Sequence, residues 1–225
     1  MVDKLNENEI LQKVKLVFHI LIFLIGFISV VLHIVYSPAP WVSTTKFTIH
    51  SNLIVSLTFL LSSLLMLMRK KQIPMLDFLK NCSIIYMAVN ILTYHFLLAS
   101  GGEYDGIRII SNFTLHYLMP TLVFFNWLIF EIKKKYSYKF IFCWMIYPLF
   151  YTVVSLIRGL FDGFYPYFFL NPKGEIPVGV GSYTNVAMFI AAFLFVFINH
   201  GFVLVALNRL FLYINKKSIN QANIM

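Results

Sequence analysis

The chain has 225 residues, 60% of them hydrophobic and only 12% charged. A soluble domain carries about 25% charged residues, so that class is excluded. The formal net charge of +9 would suit a nucleic-acid binder, but the basic residues stand at the ends of long apolar blocks, and no nucleic-acid partner is implied.

The hydrophobic excess falls in six blocks, each long enough for the ~30 Å hydrocarbon layer at about 20 residues. The first is Val14–Tyr36, carrying His19 and ending near His33. Its preceding stretch, MVDKLNENEILQKVK, is too polar and acidic for a signal peptide, so the block reads as a retained helix. The second is Thr45–Met68, the third Asn81–Leu98 and the fourth Ile109–Phe130. The fifth is Lys139–Leu160. The sixth, Tyr183–Ile214, is long enough to tilt or project beyond the bilayer, and holds Asn199 and His200 near its middle. The expected fold is all-α: one integral membrane domain over residues 1–225, a bundle of six transmembrane helices.

Basic residues set the orientation. One side holds Lys4, Lys13, Lys15, Arg69, Lys70, Lys71, Lys80, Lys133, Lys134, Lys135, Lys139, Arg209, Lys216 and Lys217. The other holds only Lys46, Arg108, Arg158 and Lys173, so the 18 Lys and Arg residues divide 14 to 4. Both termini are therefore expected in the cytoplasm. The outer connections are SPAPWVSTTK, ASGGEYDGIR and FDGFYPYFFLNPKGEIPVGVGS, with Trp41, Tyr165 and Tyr167 as interfacial aromatics. The expected location is the cell membrane. Abundant Phe, Tyr, Ile, Asn and Lys read as a bacterial composition. Cys82 and Cys143 fall near cytoplasmic ends, which argues against a disulfide.

Polar residues inside the blocks are the candidates for function, because intramembrane ionisable groups are costly. His33, His50, His95 and His116 lie in the expected outer half of the bilayer. In the second block Thr45, Thr48, Asn52, Ser56 and Ser63 form one stripe, bordered by Ser51. His50 stands about 200° from Thr48 around the helix and faces elsewhere. In the fourth block Asn112, His116 and Pro120 share a face. Proline has no N–H, so a regular α-helix predicts a kink there and a freed carbonyl at residue 116. Such a carbonyl needs another partner in lipid. In the fifth block Tyr151, Ser155, Arg158 and Asp162 follow helical spacing. Arg158 suits pairing with Asp162 or an anionic lipid end.

A neutral imidazole can serve as base for a hydroxyl nucleophile. Thr48 and His116 are the expected catalytic pair, with Ser51 as alternative nucleophile. Asn52, His95, Asn112, Arg158, Asp162, Tyr165 and Tyr167 are supporting or substrate-binding candidates. No H-x-x-x-H or H-E-x-x-H spacing occurs, so neither metal nor cofactor is implied. A small-substrate carrier or lipid-binding protein is the alternative, given the six helices and a polar outer cavity. The oligomeric state is open.

Several short motifs keep a common order: Phe47-Thr48-x-x-Ser51-Asn52-Leu53, Tyr94-His95, Asn112-x-x-x-His116 with Pro120, Tyr147-Pro148, Arg158-Gly159 and Tyr165-Pro166-Tyr167-x-Phe169-Leu170. In these the chain resembles a family of bacterial six-helix membrane proteins over about residues 20–210. That family is distantly similar to the eukaryotic androgen-induced and androgen-dependent membrane hydrolases. The resemblance implies a Thr/His lipid ester hydrolase acting within the membrane on fatty acid esters of hydroxy fatty acids. A related membrane acyltransferase is a further alternative. Asn112-x-x-x-His116 matches the hydrolase pattern, with the proline one residue early. In the Lys-Phe-x-Thr-x-x-(Asn/Asp)-Leu pattern, Lys46, Phe47, Asn52 and Leu53 match. Ile49 occupies the Thr position, and Thr48 stands one place before it.

Overall fold

The first helix, α1 (Val2–Val35), is inverted relative to a helix in water. Its buried face contains His19, Ile22, Gly26, Ser29 and His33, at spacings of three and four. Leu21, Leu24, Ile28 and Val31 point outward and expose between 41% and 51% of their surface. In water such a stripe would forgo roughly 25 cal/mol per Å² of apolar surface left unburied. Against lipid it costs nothing, and helix packing then rests on small and polar residues.

The computed structural model describes residues 2–99, 104–131 and 133–222, with side chains for 9–99, 104–131 and 133–214. The side chains of Lys4, Lys216 and Lys217 and the middle of the ASGGEYDGIR connection lie outside the described residues. Every regular element among the described residues is helical. Five of these helices are long and apolar enough to cross a membrane: Glu9–Val35, Phe47–Leu67, Pro74–Leu98, Ile107–Phe130 and Tyr183–Ile214.

The chain divides into two compact units, residues 1–130 and 131–225. In the first, a short helix α2 (Pro40–Thr44) starts on a proline and fills the first connection. Then come α3 (Phe47–Leu67) and α4 (Pro74–Thr93), the latter continuing through a π-helical turn at Tyr94–Leu98. α5 (Ile107–Phe113) runs through a second π turn, Thr114–Leu118, into α6 (Met119–Phe130). α1 packs on α3, α5 and α6, and α4 packs on α3 and α6. Ile22, Val55, Phe59, Met87, Met119 and Val123 form the main apolar core. Val30, Ile49 and Leu115 form a second cluster. Gly26 makes the closest approach: a Cβ there would run into Ser56 Oγ and the Met119 side chain.

In the second unit, one helix over the fifth apolar block is not what forms. α7 (Phe140–Trp144) and α8 (Ile146–Asp162) meet at Met145. Pro148 explains the joint, since its ring opposes the carbonyl of Trp144, four residues back. α8 has 17 residues and is about 26 Å long, shorter than the hydrocarbon layer. α9 (Tyr183–Ala222) completes the unit. Between them, the 3₁₀ turn Phe168–Leu170 brings Phe169 against Phe189 and Phe193 of α9, at 6.0 and 4.9 Å between ring centres.

The end of α3 is strained. Lys70 N–H donates to Leu65 O at 2.8 Å and Arg69 N–H to Met66 O at 3.0 Å, a Schellman closure. Arg69 therefore sits at φ 54°, a left-handed conformation costing a non-glycine residue roughly 1–2 kcal/mol. Arg69→Gly is expected to stabilise the protein by about 1 kcal/mol, part of the relief being offset by unfolded-chain entropy. Thermal unfolding in detergent checks it, and an unchanged or lowered midpoint counts against the strain.

Candidate functional site

The π turn in the fourth apolar block decides which carbonyl Pro120 frees. Met119 N–H donates to Thr114 O, five residues back. The next amide in that register is residue 120, opposite Leu115 O, and proline has none. The sequence reading on a regular α-helix expected the freed carbonyl at His116. The added residue of the π turn moves it to Leu115. Two amides from other helices take it: Asn52 Nδ2 of α3 donates at 3.2 Å and Asn90 Nδ2 of α4 at 3.0 Å.

The rest of the site is built around these amides. Asn52 Nδ2 also donates to Thr48 O at 2.8 Å. Thr48 Oγ1 donates to Asn90 Oδ1 at 3.0 Å. α3 is regular from Phe47, and Thr48 is buried there together with Asn52, one turn on. Ser51 is fully buried and returns its hydroxyl to Thr48 O at 3.1 Å.

His116 joins the cluster at Asn90 and Tyr94. Its ring stacks on Tyr94, with centres 3.8 Å apart and planes 18° from parallel, and the backbone of Asn90 lies beside it. Asn112 Nδ2 donates to Tyr94 Oη at 2.5 Å. Thr48, Asn52, Asn90, Tyr94, Asn112 and His116 are thus one buried polar cluster, in which Thr48 and His116 are joined through Asn90. Three positions stay open. His116 Nδ1, Asn112 Oδ1 and Asn52 Oδ1 are buried and have no hydrogen-bond partner. Each unsatisfied group costs ~1–3 kcal/mol, and such groups are rare enough to call for an explanation.

His95 is not in the cluster. It is exposed in the other π turn, with Nδ1 3.2 Å from Tyr117 Oη. His50 turns away from Thr48, as its helical phase requires, and Nε2 lies 2.7 Å from Thr44 O. His19 packs edge-on against Phe59. His200 Nδ1 lies 2.8 Å from Val196 O of its own helix.

A basic group that sequence reasoning passed over lies at the Arg108 end of this unit. Arg108 Cζ sits 4.9 Å from the Tyr104 ring centre, and the His33 ring lies 5.8 Å from the same ring. His33 Nδ1 is 3.3 Å from Ser111 Oγ. The Lys46 ammonium is pushed below the usual lysine range, first by burial and then by Arg108. Burial raises the Tyr104 hydroxyl, and Arg108 opposes that shift. The available signal was that Lys46 and Arg108 are two of only four bases on the base-poor side.

The remaining candidates belong to the second unit. Arg158 Nε donates to Asp162 Oδ2 at 2.9 Å on an exposed turn, with Cζ 4.3 Å from the Phe164 ring centre. Tyr165 lies across Gly159, where a Cβ would meet its ring, and bonds Tyr183. Tyr167 stacks on Phe169 at 4.9 Å. A mostly apolar groove of about 260 Å³ is bounded by Glu175, Ile176, Val180, Asn185, Met188 and Phe189. Among the described residues, no three His, Cys, Asp or Glu side chains gather as metal ligands would.

No family model, curated protein or solved structure matches this chain.

The Leu115 carbonyl gives a direct test. Asn90→Leu is expected to destabilise the protein by about 1–3 kcal/mol. In a Pro120→Ala background a backbone N–H returns at residue 120, and the cost of Asn90→Leu should shrink. Thermal unfolding of the four proteins gives the coupling. Additive costs would mean that Pro120 is not the reason for the asparagine.

Proposed function

We infer that the first unit is an intramembrane lipid ester hydrolase. The observation that carries this is the open Nδ1 of buried His116, held in one cluster with the Thr48 hydroxyl. The imidazole is stacked on Tyr94 and buried, and a general base takes its proton through a ring nitrogen left open in this way. In the reaction Thr48 Oγ1 leaves Asn90 and attacks the ester carbonyl while its proton passes to His116 Nδ1. The tetrahedral oxyanion collapses, the C–O bond to the alcohol breaks, and the alcohol takes the proton from His116. Water then attacks the acyl-threonine with His116 again as base, which frees the acid and restores Thr48. The substrate class follows the sequence resemblance: fatty acid esters of hydroxy fatty acids from the bilayer. Ser51 is the alternative nucleophile.

A second reading has one observation in its favour. The Thr48 hydroxyl proton is already committed to Asn90 Oδ1 at 3.0 Å, as it would be in a lipid-binding or carrier protein that does no chemistry.

The fuller topology belongs to the same reading. α7 and α8 together supply a sixth crossing, both termini lie in the cytoplasm, and the membrane is the bacterial cell membrane. The 14-to-4 division of basic residues supports that orientation.

Turnover of a fatty acid ester of a hydroxy fatty acid, with fluorophosphonate labelling, tests the chemistry. His116→Ala is expected to lower kcat by about 10²–10⁴-fold, and Thr48→Ala to abolish labelling. Labelling that persists in the Thr48→Ala/Ser51→Ala double variant would remove both nucleophiles. Saturable binding without turnover would favour the second reading. Reporter fusions after Lys71, Lys135 and Ile214 should all read cytoplasmic, and an external reading at any of them would overturn the topology.

A further inference from the structure

The end of the first unit that holds Arg108 concentrates positive charge without a described counter-charge. Lys46 opens α3, Arg108 opens α5 and His33 closes α1, so three separate helix ends contribute. Lys46 and Arg108 are both half-buried. Ile49, three residues beyond Lys46, packs with Val30 of α1 and with Leu115, which brings Lys46 to the end that holds His33 and Arg108, and Arg108 there disfavours the charge on Lys46. Two cations this close repel each other, and burial raises the cost. Among the described residues no carboxylate pairs with either one. Asp105, three residues before Arg108, is exposed, and only its backbone carbonyl is engaged, by the Arg108 N–H at 3.0 Å.

The Arg108 side chain is aimed as well as charged. Its guanidinium carbon rests 4.9 Å from the Tyr104 ring centre, which holds the fork over that ring. Its Nε is buried and has no acceptor. A buried guanidinium N–H without an acceptor is a directed vacancy for an oxygen anion, because this fork matches carboxylate and phosphate geometry. His33, beside the same Tyr104 ring, adds an imidazole tied to Ser111.

We propose that Arg108 and Lys46, with His33 at their side, bind the oxyanion headgroup of a membrane amphiphile, a carboxylate or a phosphate. Arg108 supplies the directed donors and Lys46 the second charge. The apolar chain of the ligand runs along the helix toward the buried cluster. Arg108, Asn112 and His116 follow each other at spacing four, so a head held by Arg108 lies roughly 12 Å along the axis from His116. This site does not depend on the hydrolase reading, since an anion is held whether or not His116 acts as a base.

The test uses the full chain in phosphatidylcholine nanodiscs. Oleate is expected to bind at least tenfold more tightly than oleyl alcohol, and the preference should weaken with added salt. Arg108→Gln and Lys46→Gln should each remove most of that preference, whereas Arg108→Lys should retain part of it and the loop control Lys173→Gln all of it. Phosphatidylglycerol that competes with oleate would identify a lipid phosphate as occupant, and its failure to compete would identify a free carboxylate. One readout separates binding from a structural role: Lys46→Gln should raise the thermal midpoint of the ligand-free protein, because it removes repulsion. A lowered midpoint would assign Lys46 to the fold and overturn its role here. Equal affinity for oleate and oleyl alcohol overturns the proposal. So does a wild-type protein that binds no oxyanion until Glu103→Gln is introduced, which would assign the site to the chain's own carboxylate.

Discussion

A backbone carbonyl in lipid must have a hydrogen-bond partner, and at Leu115 the chain has removed the usual one. The π turn directs that carbonyl toward residue 120, and residue 120 is a proline. Because Leu115 is fully buried, donors must come from neighbouring helices. Asn52 and Asn90 supply them from α3 and α4, so one missing N–H holds three helices in register. The same side chains then serve the candidate site. Asn90 reaches Thr48 with its oxygen while its nitrogen holds Leu115. Asn52 fastens the first turn of α3 by bonding Thr48 O. Thr48 and His116 belong to one cluster because both are packed around this repair.

Much of this was legible from helical period. Of the expected stripe, Thr48, Asn52, Ser56 and Ser63 are buried and His50 lies off it, whereas Thr45 precedes α3 and is only half-buried. Asn112 and His116 are both buried on α5 and the following π turn. The π turns themselves left no trace. They add one residue to a hydrogen-bonded loop without changing hydrophobicity, so no composition or period marks them. The joint at Met145 was visible only through Pro148, whose effect falls on the carbonyl four residues earlier. The basic cluster escaped for another reason. Lys46 and Arg108 entered as a small remainder in an orientation count, and a count carries no information about which helix ends converge.

The molecule distributes its polar groups in the opposite way to a soluble protein. Apolar stripes face outward, and the interior holds hydroxyls, amides and imidazoles. Much of that polarity is silent. Ser56, Ser63 and Thr58 return their hydroxyls to carbonyls four residues back on α3, a common way to satisfy such groups inside a membrane helix. Against that background Asn52 Oδ1, Arg108 Nε, Asn112 Oδ1 and His116 Nδ1 of the first unit and Arg209 Nε of the second stand buried without a hydrogen-bond partner. Three of these five lie on the stretch running from α5 into its π turn. That short stretch carries functional candidates as well as uncompensated polar atoms.

Gly26 has a mechanical consequence. The apolar part of α1 begins at Val14 and ends at Val35, about 33 Å of helix, close to the thickness of the hydrocarbon layer. The backbone at Gly26 bears directly on Ser56, one turn beyond Asn52, and on Met119, the residue that closes the π turn. α1 is thus pressed against the wall of the site with no side chain between. The clearance of that wall, beside Asn52 and Leu115, is set by a methyl group that position 26 does not carry.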